Sequence, residues 1–328
     1  MAQTFNWGII GLGKIAHKFT TDLQDVPGAC LYAVASRTQS KADAFAEKHK
    51  AQNAYGTYEA LAKDPAVDVI YIATPHVFHA EYTRLCLNYG KAVLCEKPIA
   101  MNAEQLKQMI HLARQKSVFL MEGLWTNFMP HLQKVQHLNQ NKKFGACQTI
   151  EADFSFVAEF DTEKRLFNKE LGGGALLDIG IYPVYLALKL LGIPDDMEVS
   201  CEFSSTGVDV SNQIIFRYAS GAEAFLSSSF AKKSPCLAKV TFENATIEFG
   251  SRFHETDQLK IISNTEEEHL DFNYPTHGYQ FEIKHVQECL VKGLTGSPEM
   301  PLQASLDLIS TLDKIRHRMG LSYAEDQK

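Results

Sequence analysis

The chain has 328 residues, 45% of them hydrophobic and 22% charged, with a formal net charge of -7 and a pI near 6.0. A composition this close to the globular average excludes a largely disordered or low-complexity chain. The acidic balance excludes a surface built to attract nucleic-acid backbones or anionic membranes, leaving any anion site local.

The length exceeds what one hydrophobic core usually supports, so two domains are expected. A strand-like run begins by about Phe5, with no basic segment and apolar stretch before it, and no apolar run approaches the roughly 18 residues of a membrane span. Seven cysteines (Cys30, Cys86, Cys95, Cys147, Cys201, Cys236 and Cys289) are widely spaced, with no C-x-x-C pair. They predict neither a disulfide framework nor a zinc knuckle, and fit a reducing compartment. A cytoplasmic protein, neither secreted nor membrane-spanning, is expected.

From Asn6 to about Leu124, short β-branched runs alternate with amphipathic stretches. Strands are predicted at residues 7–10, 31–35, 67–73, 92–95 and 118–121, and helices at 40–48 and 80–89. This is the βαβ rhythm of a parallel sheet covered on both faces, so residues 1–124 form an N-terminal Rossmann, doubly wound domain. After Phe144 and Gly145 the rhythm changes to alternating runs at 149–156, 198–204, 213–218, 222–228, 238–249 and 258–263. These predict a C-terminal α+β domain, residues 125–328, with a large open, mainly antiparallel sheet. A helix following Gly172, Gly173 and Gly174 covers one face. The other needs solvent-compatible residues or a partner subunit, and the expectation is a homo-oligomer through that face. Leu302, Leu306, Ile309, Leu312 and Ile315 mark the apolar side of a last helix capped by Gly320, expected to pack back on the first domain.

Gly11-Leu12-Gly13-Lys14-Ile15-Ala16 is a G-x-G-x-x-A at the first strand-to-helix turn. Its first glycine permits the tight turn, its second lets backbone approach a pyrophosphate, and the small third residue lets helix and strand pack closely. Without that context the same string is an ordinary glycine turn. NAD-binding domains usually place Asp or Glu at the end of the second strand, to accept from the ribose 2'-hydroxyl. Here the residues are Ser36-Arg37-Thr38, with Lys41 close behind. They suit a 2'-phosphate, and one charge-assisted hydrogen bond of roughly 1.5–3 kcal/mol gives about a tenfold to hundredfold preference for NADP over NAD. The plainer alternative is a solvated helix start.

Ligands bind beyond the carboxyl ends of open parallel strands, which directs attention to Thr74-Pro75-His76-Val77-Phe78-His79 and Cys95-Glu96-Lys97-Pro98. Thr74, Pro75, His76, His79, Glu96, Lys97 and Trp125 are candidate cofactor contacts, with Lys14 and Ile15 of the glycine turn. Lys97 is a candidate for polarising a hydroxyl or lowering the pKa of a neighbouring acid. His76-x-x-His79 is also half a metal site by spacing, but no Cys or Glu cluster supports it, so no metal is expected. Asp178 and Tyr182, four apart, put a carboxylate and a phenol on one helix face, with a kink expected at Pro183. Trp125 follows the last strand of the first domain and is a candidate pocket residue at the domain junction. Phe154, Phe156, Phe253, Tyr274 and Tyr279 are either pocket walls or core.

Taken together, Gly11-x-Gly13-x-x-Ala16, Thr74-Pro75, Glu96-Lys97-Pro98 and the glycine run with Asp178 and Tyr182 resemble the Gfo/Idh/MocA oxidoreductase family, with its motifs in order over most of the chain. Glu122-Gly123-Leu124-Trp125-Thr126-Asn127-Phe128-Met129-Pro130 and Asp178-Ile179-Gly180-Ile181-Tyr182-Pro183 look most like its dimeric dihydrodiol dehydrogenase and D-xylose dehydrogenase branch. The resemblance implies NADP-dependent oxidation of a sugar, polyol or trans-dihydrodiol hydroxyl carbon. Tyr182 would be the acid/base, Lys97 its pKa-lowering and substrate-orienting partner, and Asp178 a substrate or lysine contact. Asn127 departs from the arginine common in that branch, which bears on the substrate contacts. A non-catalytic dinucleotide-dependent ligand sensor is a reading of another class, favoured by loss of the lysine or tyrosine, and both are present. A redox-assisted glycoside hydrolase of the same family is distinguished by turnover without net NADPH accumulation.

Overall fold

Strand β1, Phe5–Ile10, is buried at nearly every position because it lies in the middle of a sheet covered on both sides. The computed structural model describes residues 3–327. The chain divides into two compact units: residues 1–125 with 275–306, and residues 126–274 with 307–328.

In the first unit, β1 is joined by β2 (Ala29–Ala35), β3 (Asn53–Tyr55), β4 (Val69–Ile72), β5 (Ala92–Glu96) and β6 (Leu120–Gly123) in the order β3-β2-β1-β4-β5-β6, all parallel. Helices α1 (Lys14–Gln24), α2 (Gln39–His49), α3 (Tyr58–Lys63), α4 (His79–Asn88) and α5 (Ala103–Lys116) connect the strands. Side chains satisfy the open N–H groups at two helix starts: Thr57 accepts from Ala60 and Asn102 from Gln105. This is the doubly wound sheet expected from the alternating rhythm. The short edge strand β3, half-buried throughout, had no apolar pattern by which to be read.

The unit also takes in residues 275–306, beyond a division at 124/125. Helix α8 (Tyr279–Val291) packs on α1, where the buried Asp22 accepts from the backbone of His277 and Tyr279. The last helix, α9 (Leu302–Met319), crosses the division at Leu306. An anion that accepts those two N–H groups is a tertiary anchor, invisible to apolar periodicity.

The second unit contains α6 (Pro130–Gln140), α7 (Ile181–Leu191) and eight strands: β7 (Cys147–Ser155), β8 (Asp196–Phe203), β9 (Asp209–Arg217), β10 (Glu223–Ser229), β11 (Ala238–Phe242), β12 (Ala245–Phe249), β13 (Gln258–Ser263) and β14 (Glu267–Asp271). Their order is β14-β13-β12-β11-β7-β10-β9-β8, antiparallel except where β10 runs parallel to β7. The run 238–249 is a hairpin split at Glu243 and Asn244, and the polar β14 is an exposed edge.

Helix α7 lies on β7 and β10. The segment Lys169–Leu191 is long and apolar enough to cross a membrane by composition, but most of it is buried as a core helix. One outward row of the sheet runs Ile215, Phe225, Glu151, Lys239, Glu248 and Lys260, with a 3.2 Å pair between Lys239 and Glu151. Water tolerates such charges, while Phe225 stands 41% exposed among them.

Candidate active site

The strand order of the first unit reverses between β1 and β4, and there Gly11 turns the chain at φ +91°. A Cβ at Gly11 would come within 2.6 Å of the Ala73 carbonyl carbon, so only glycine allows these two loops to lie so close. Gly13 caps α1 without a side-chain hydrogen bond, and α1 has no acidic residue in its first turn. A Cβ on Gly13 would meet nothing within 4 Å. Open space over partnerless helix N–H groups is what a pyrophosphate requires.

A cleft of about 400 Å³ opens at this point, lined by Gly11, Gly13, Ser36, Arg37, Thr38, Lys41, Thr74 and Pro75 from the predicted set. Tyr58, Phe78 and Tyr82 add an aromatic wall that sequence reasoning missed. Tyr58 meets Tyr82 edge-on at 4.6 Å, and Phe78 stacks on Tyr82 at 5.9 Å. Burial raises the Tyr58 phenol above its ordinary pKa while the Arg37 charge opposes this, placing the guanidinium beside the aromatic wall. Among the described residues, those lining the cleft include no carboxylate. Its glycine cradle, cations and flat rings fit the pyrophosphate, ribose phosphate and base of a dinucleotide.

Other predicted contacts stand behind or beside this lining. Lys14 is exposed and Ile15 half-buried in the first turn of α1. His79 is fully buried, its Nδ1 and Nε2 each 2.8 Å from a backbone carbonyl, of Pro98 and Thr74 respectively. His79 therefore ties the Thr74 loop to the Lys97 loop rather than facing the cleft. His76 is buried edge-on to it, at 5.7 Å.

Glu96 is buried at the end of β5, where it accepts from Tyr71 Oη and from the Lys97 backbone. Lys97 itself is half-buried. Trp125 is buried and stacked on Tyr279 at 4.8 Å.

In the second unit the glycine run leads into a π-helical turn, Leu176–Gly180, that continues into α7. Sequence predicted a kink at Pro183. The structure instead places the irregular turn just before it, where a wider ring of backbone bonds accommodates a proline that has no N–H to donate. Asp178 sits in this turn and pairs with Arg165 at 2.8 Å. Tyr182 is the second residue of α7, buried, with Phe154 at 5.6 Å and His254 at 5.0 Å. Arg165 and His254 were not foreseen, because each reaches the segment from a distant loop. Asn127 is fully buried and its Oδ1 accepts from Tyr185 Oη at 2.6 Å, so its side chain is already committed within the unit.

Residues 5–124 match the oxidoreductase family with an NAD-binding Rossmann fold, and residues 132–248 match the GFO/IDH/MocA C-terminal domain. The chain belongs to the Gfo/Idh/MocA oxidoreductase family. Trans-1,2-dihydrobenzene-1,2-diol dehydrogenase of Xenopus tropicalis is 36% identical over 329 residues, covering 97% of this chain and 98% of the relative. The Homo sapiens enzyme of that name is 34% identical, covering 99% and 100%. Among solved structures, an aldose-aldose oxidoreductase from Caulobacter crescentus complexed with glycerol superposes with a TM-score of 0.87 at 21% identity, covering 99% of each chain. The 3-ketoreductase KijD10 from Actinomadura kijaniata, in complex with TDP-benzene and NADP, gives 0.83 at 24% identity, covering 97% and 98%. This Gfo/Idh/MocA member is thus a dinucleotide-binding oxidoreductase.

Proposed function

We propose that the protein is an NADP-dependent oxidoreductase acting on the hydroxyl-bearing carbon of a sugar, polyol or trans-dihydrodiol. The observation that carries the reading is the cleft at the end of β2, where Ser36, Arg37, Thr38 and Lys41 stand without a carboxylate. Its cations match a 2'-phosphate, and the relative named for a diol, with the solved structures named for an aldose oxidoreductase and a 3-ketoreductase, supports this substrate class. Bound NADP would supply the hydride acceptor, held by Gly11, Gly13, Ser36, Arg37, Thr38 and Lys41.

In this reading Tyr182 Oη takes the hydroxyl proton, and Lys97 orients the substrate oxygen and stabilises the phenolate. Asp178, already held by Arg165, fixes the segment that carries the phenol. Seven free cysteines accord with a cytoplasmic location. Self-association through the outward sheet face is part of the same proposal. Phe225→Glu is expected to convert the oligomer to monomer by light scattering, and an unchanged mass would remove that face from consideration.

The first test is a titration with NADPH and NADH, followed by rates on aldoses and trans-dihydrodiols. Arg37→Ala is expected to weaken NADPH binding by about tenfold to hundredfold with little effect on NADH. Equal loss for both cofactors would mean that Arg37 does not read the 2'-phosphate.

A further inference from the structure

We propose that Asp209, Asn212 and Ser228 form a buried polar frame that positions the π-turn bearing Asp178, and with it Tyr182, for proton transfer. The inference rests on Tyr182 as the acid/base. All three side chains are buried: Asp209 and Ser228 are fully enclosed and Asn212 is 2% exposed. None of the three belongs to a family motif read from the sequence, and they lie on strands rather than on the segment they would hold.

The frame grips the turn at both ends. At its start, Asp209 Oδ2 accepts from Leu176 N at 2.7 Å, across 33 positions of sequence. Asn212 Nδ2 donates to the same oxygen at 3.1 Å. Asn212 stands directly opposite Ser228 in the β9–β10 ladder, and Ser228 Oγ donates to Asn212 Oδ1 at 2.9 Å. At the end of the turn, Ser228 Oγ lies 2.8 Å from where a Cβ on Gly180 would stand, so glycine lets the turn settle onto the serine. The glycine run is held too. A Cβ on Gly174 would lie 2.3 Å from Asp209 Oδ1, and Tyr323 Oη, brought from the end of the chain, donates to Gly173 O at 2.5 Å.

A fully buried carboxylate whose Oδ1 has no hydrogen-bond partner is a costly way to cap a helix, since a neutral asparagine could accept the same N–H. The charge has one local reward: it sits at the positive end of the turn and strengthens each N–H bond it accepts. Burial pushes the Asp209 carboxyl up to about 6, opposed by the donors at Leu176, Asn212 and Ala175. The other titratable groups facing it are Cys201 on β8 and Tyr323. Below about 6 the neutral acid escapes the burial cost, so the folded chain as a whole is not weakened, but the charge that strengthens those N–H bonds is lost and the hold on the turn slackens. The turn it holds is an irregular one of the kind often found at functional sites.

The test uses the full chain and the variants Asn212→Ala, Ser228→Ala and Asp209→Asn, each checked for folding by circular dichroism. Amide exchange over residues 174–182 is followed by mass spectrometry, beside kcat, KM and the NADPH Kd. Asn212→Ala and Ser228→Ala are expected to accelerate exchange in that segment. They should also lower kcat roughly ten- to hundredfold, with the NADPH Kd within about twofold of wild type. Asp209→Asn retains an acceptor and serves if the alanine variants fold poorly. Its kcat should lack the limb near 6 that wild type shows, keeping only the pH dependence that Tyr182 itself imposes. Unchanged exchange in the variants overturns the frame whatever the activity. Faster exchange with unchanged kcat, or a limb near 6 surviving in Asp209→Asn, overturns its link to proton transfer. A wild type inactive on every diol and sugar overturns the functional reading instead, and leaves the exchange result to decide the frame.

Discussion

Tyr182→Phe is expected to lower kcat by roughly two to four orders of magnitude while the NADPH Kd stays within about twofold. The ring keeps its place, because Phe154 at 5.6 Å and His254 at 5.0 Å pack against it ring to ring and phenylalanine retains that ring. Only the oxygen is removed, at a stability cost of about 1 kcal/mol. In the proposed reading the cofactor is held by the glycine cradle and the Arg37 cleft, in the other unit, so its binding reports independently that the variant is intact. A fall of less than about tenfold would transfer the proton step to another group. Lys97→Met is the control for that outcome: if Tyr182→Phe is mild and Lys97→Met severe, the lysine, not the phenol, carries the chemistry.

How much of this was legible from sequence follows from the range over which each feature is specified. The glycine cradle is a local device: Gly11 must turn at positive φ and Gly13 must leave open space, so both stand out in one short string at a strand end. Arg37 follows from its position after β2 alone. Tyr58 and Tyr82 did not, since a residue at the start of α3 and one on α4 become a wall only when the strands between them are in register.

His79 was read by its loop as a cofactor contact, but its two bonds to distant carbonyls make it a tie between loops. Arg165 reaches Asp178 from a turn outside the segment, and the Asp209 frame is longer-range still, reaching the turn from two strands. Asp178 and Tyr182 were expected on one helical face by a spacing of four. The π-turn changes that count, because it adds a residue to the ring of backbone bonds. Helix α8 was missed as part of the first unit for the same reason as the frame: a buried carboxylate, Asp22, anchors it.

Glu122→Gln is expected to flatten the pH dependence of stability. Glu122 ends β6 almost fully buried, and its Oε1 accepts from Ile99 N at 2.9 Å, two residues beyond Lys97. Burial pushes its carboxyl up to about 7. Ser305 and the Ile99 N–H oppose that rise, Glu96 adds to it, and Lys97 opposes it. A folded-state pKa above the unfolded value means that the folded chain holds the proton more tightly. The stability from this group is therefore full below the ordinary range near 4.5 and is lost progressively as pH rises to about 7. The loss at pH 8 is on the order of a few kcal/mol.

Glutamine keeps the acceptor for Ile99 and cannot ionise, so the variant should lose several degrees less than wild type in Tm between about pH 5.5 and pH 8. Glu282 and Asp209 are also buried carboxyls with raised pKa values and tilt the wild-type curve the same way. The difference between wild type and variant at each pH isolates Glu122, apart from its coupling to Glu96. If the two curves run parallel, Glu122 is ionised throughout, and the positive charge of Lys97 outweighs the burial. The Lys97 loop would then rest on a permanent buried ion pair instead of a carboxyl that takes and releases a proton near neutrality.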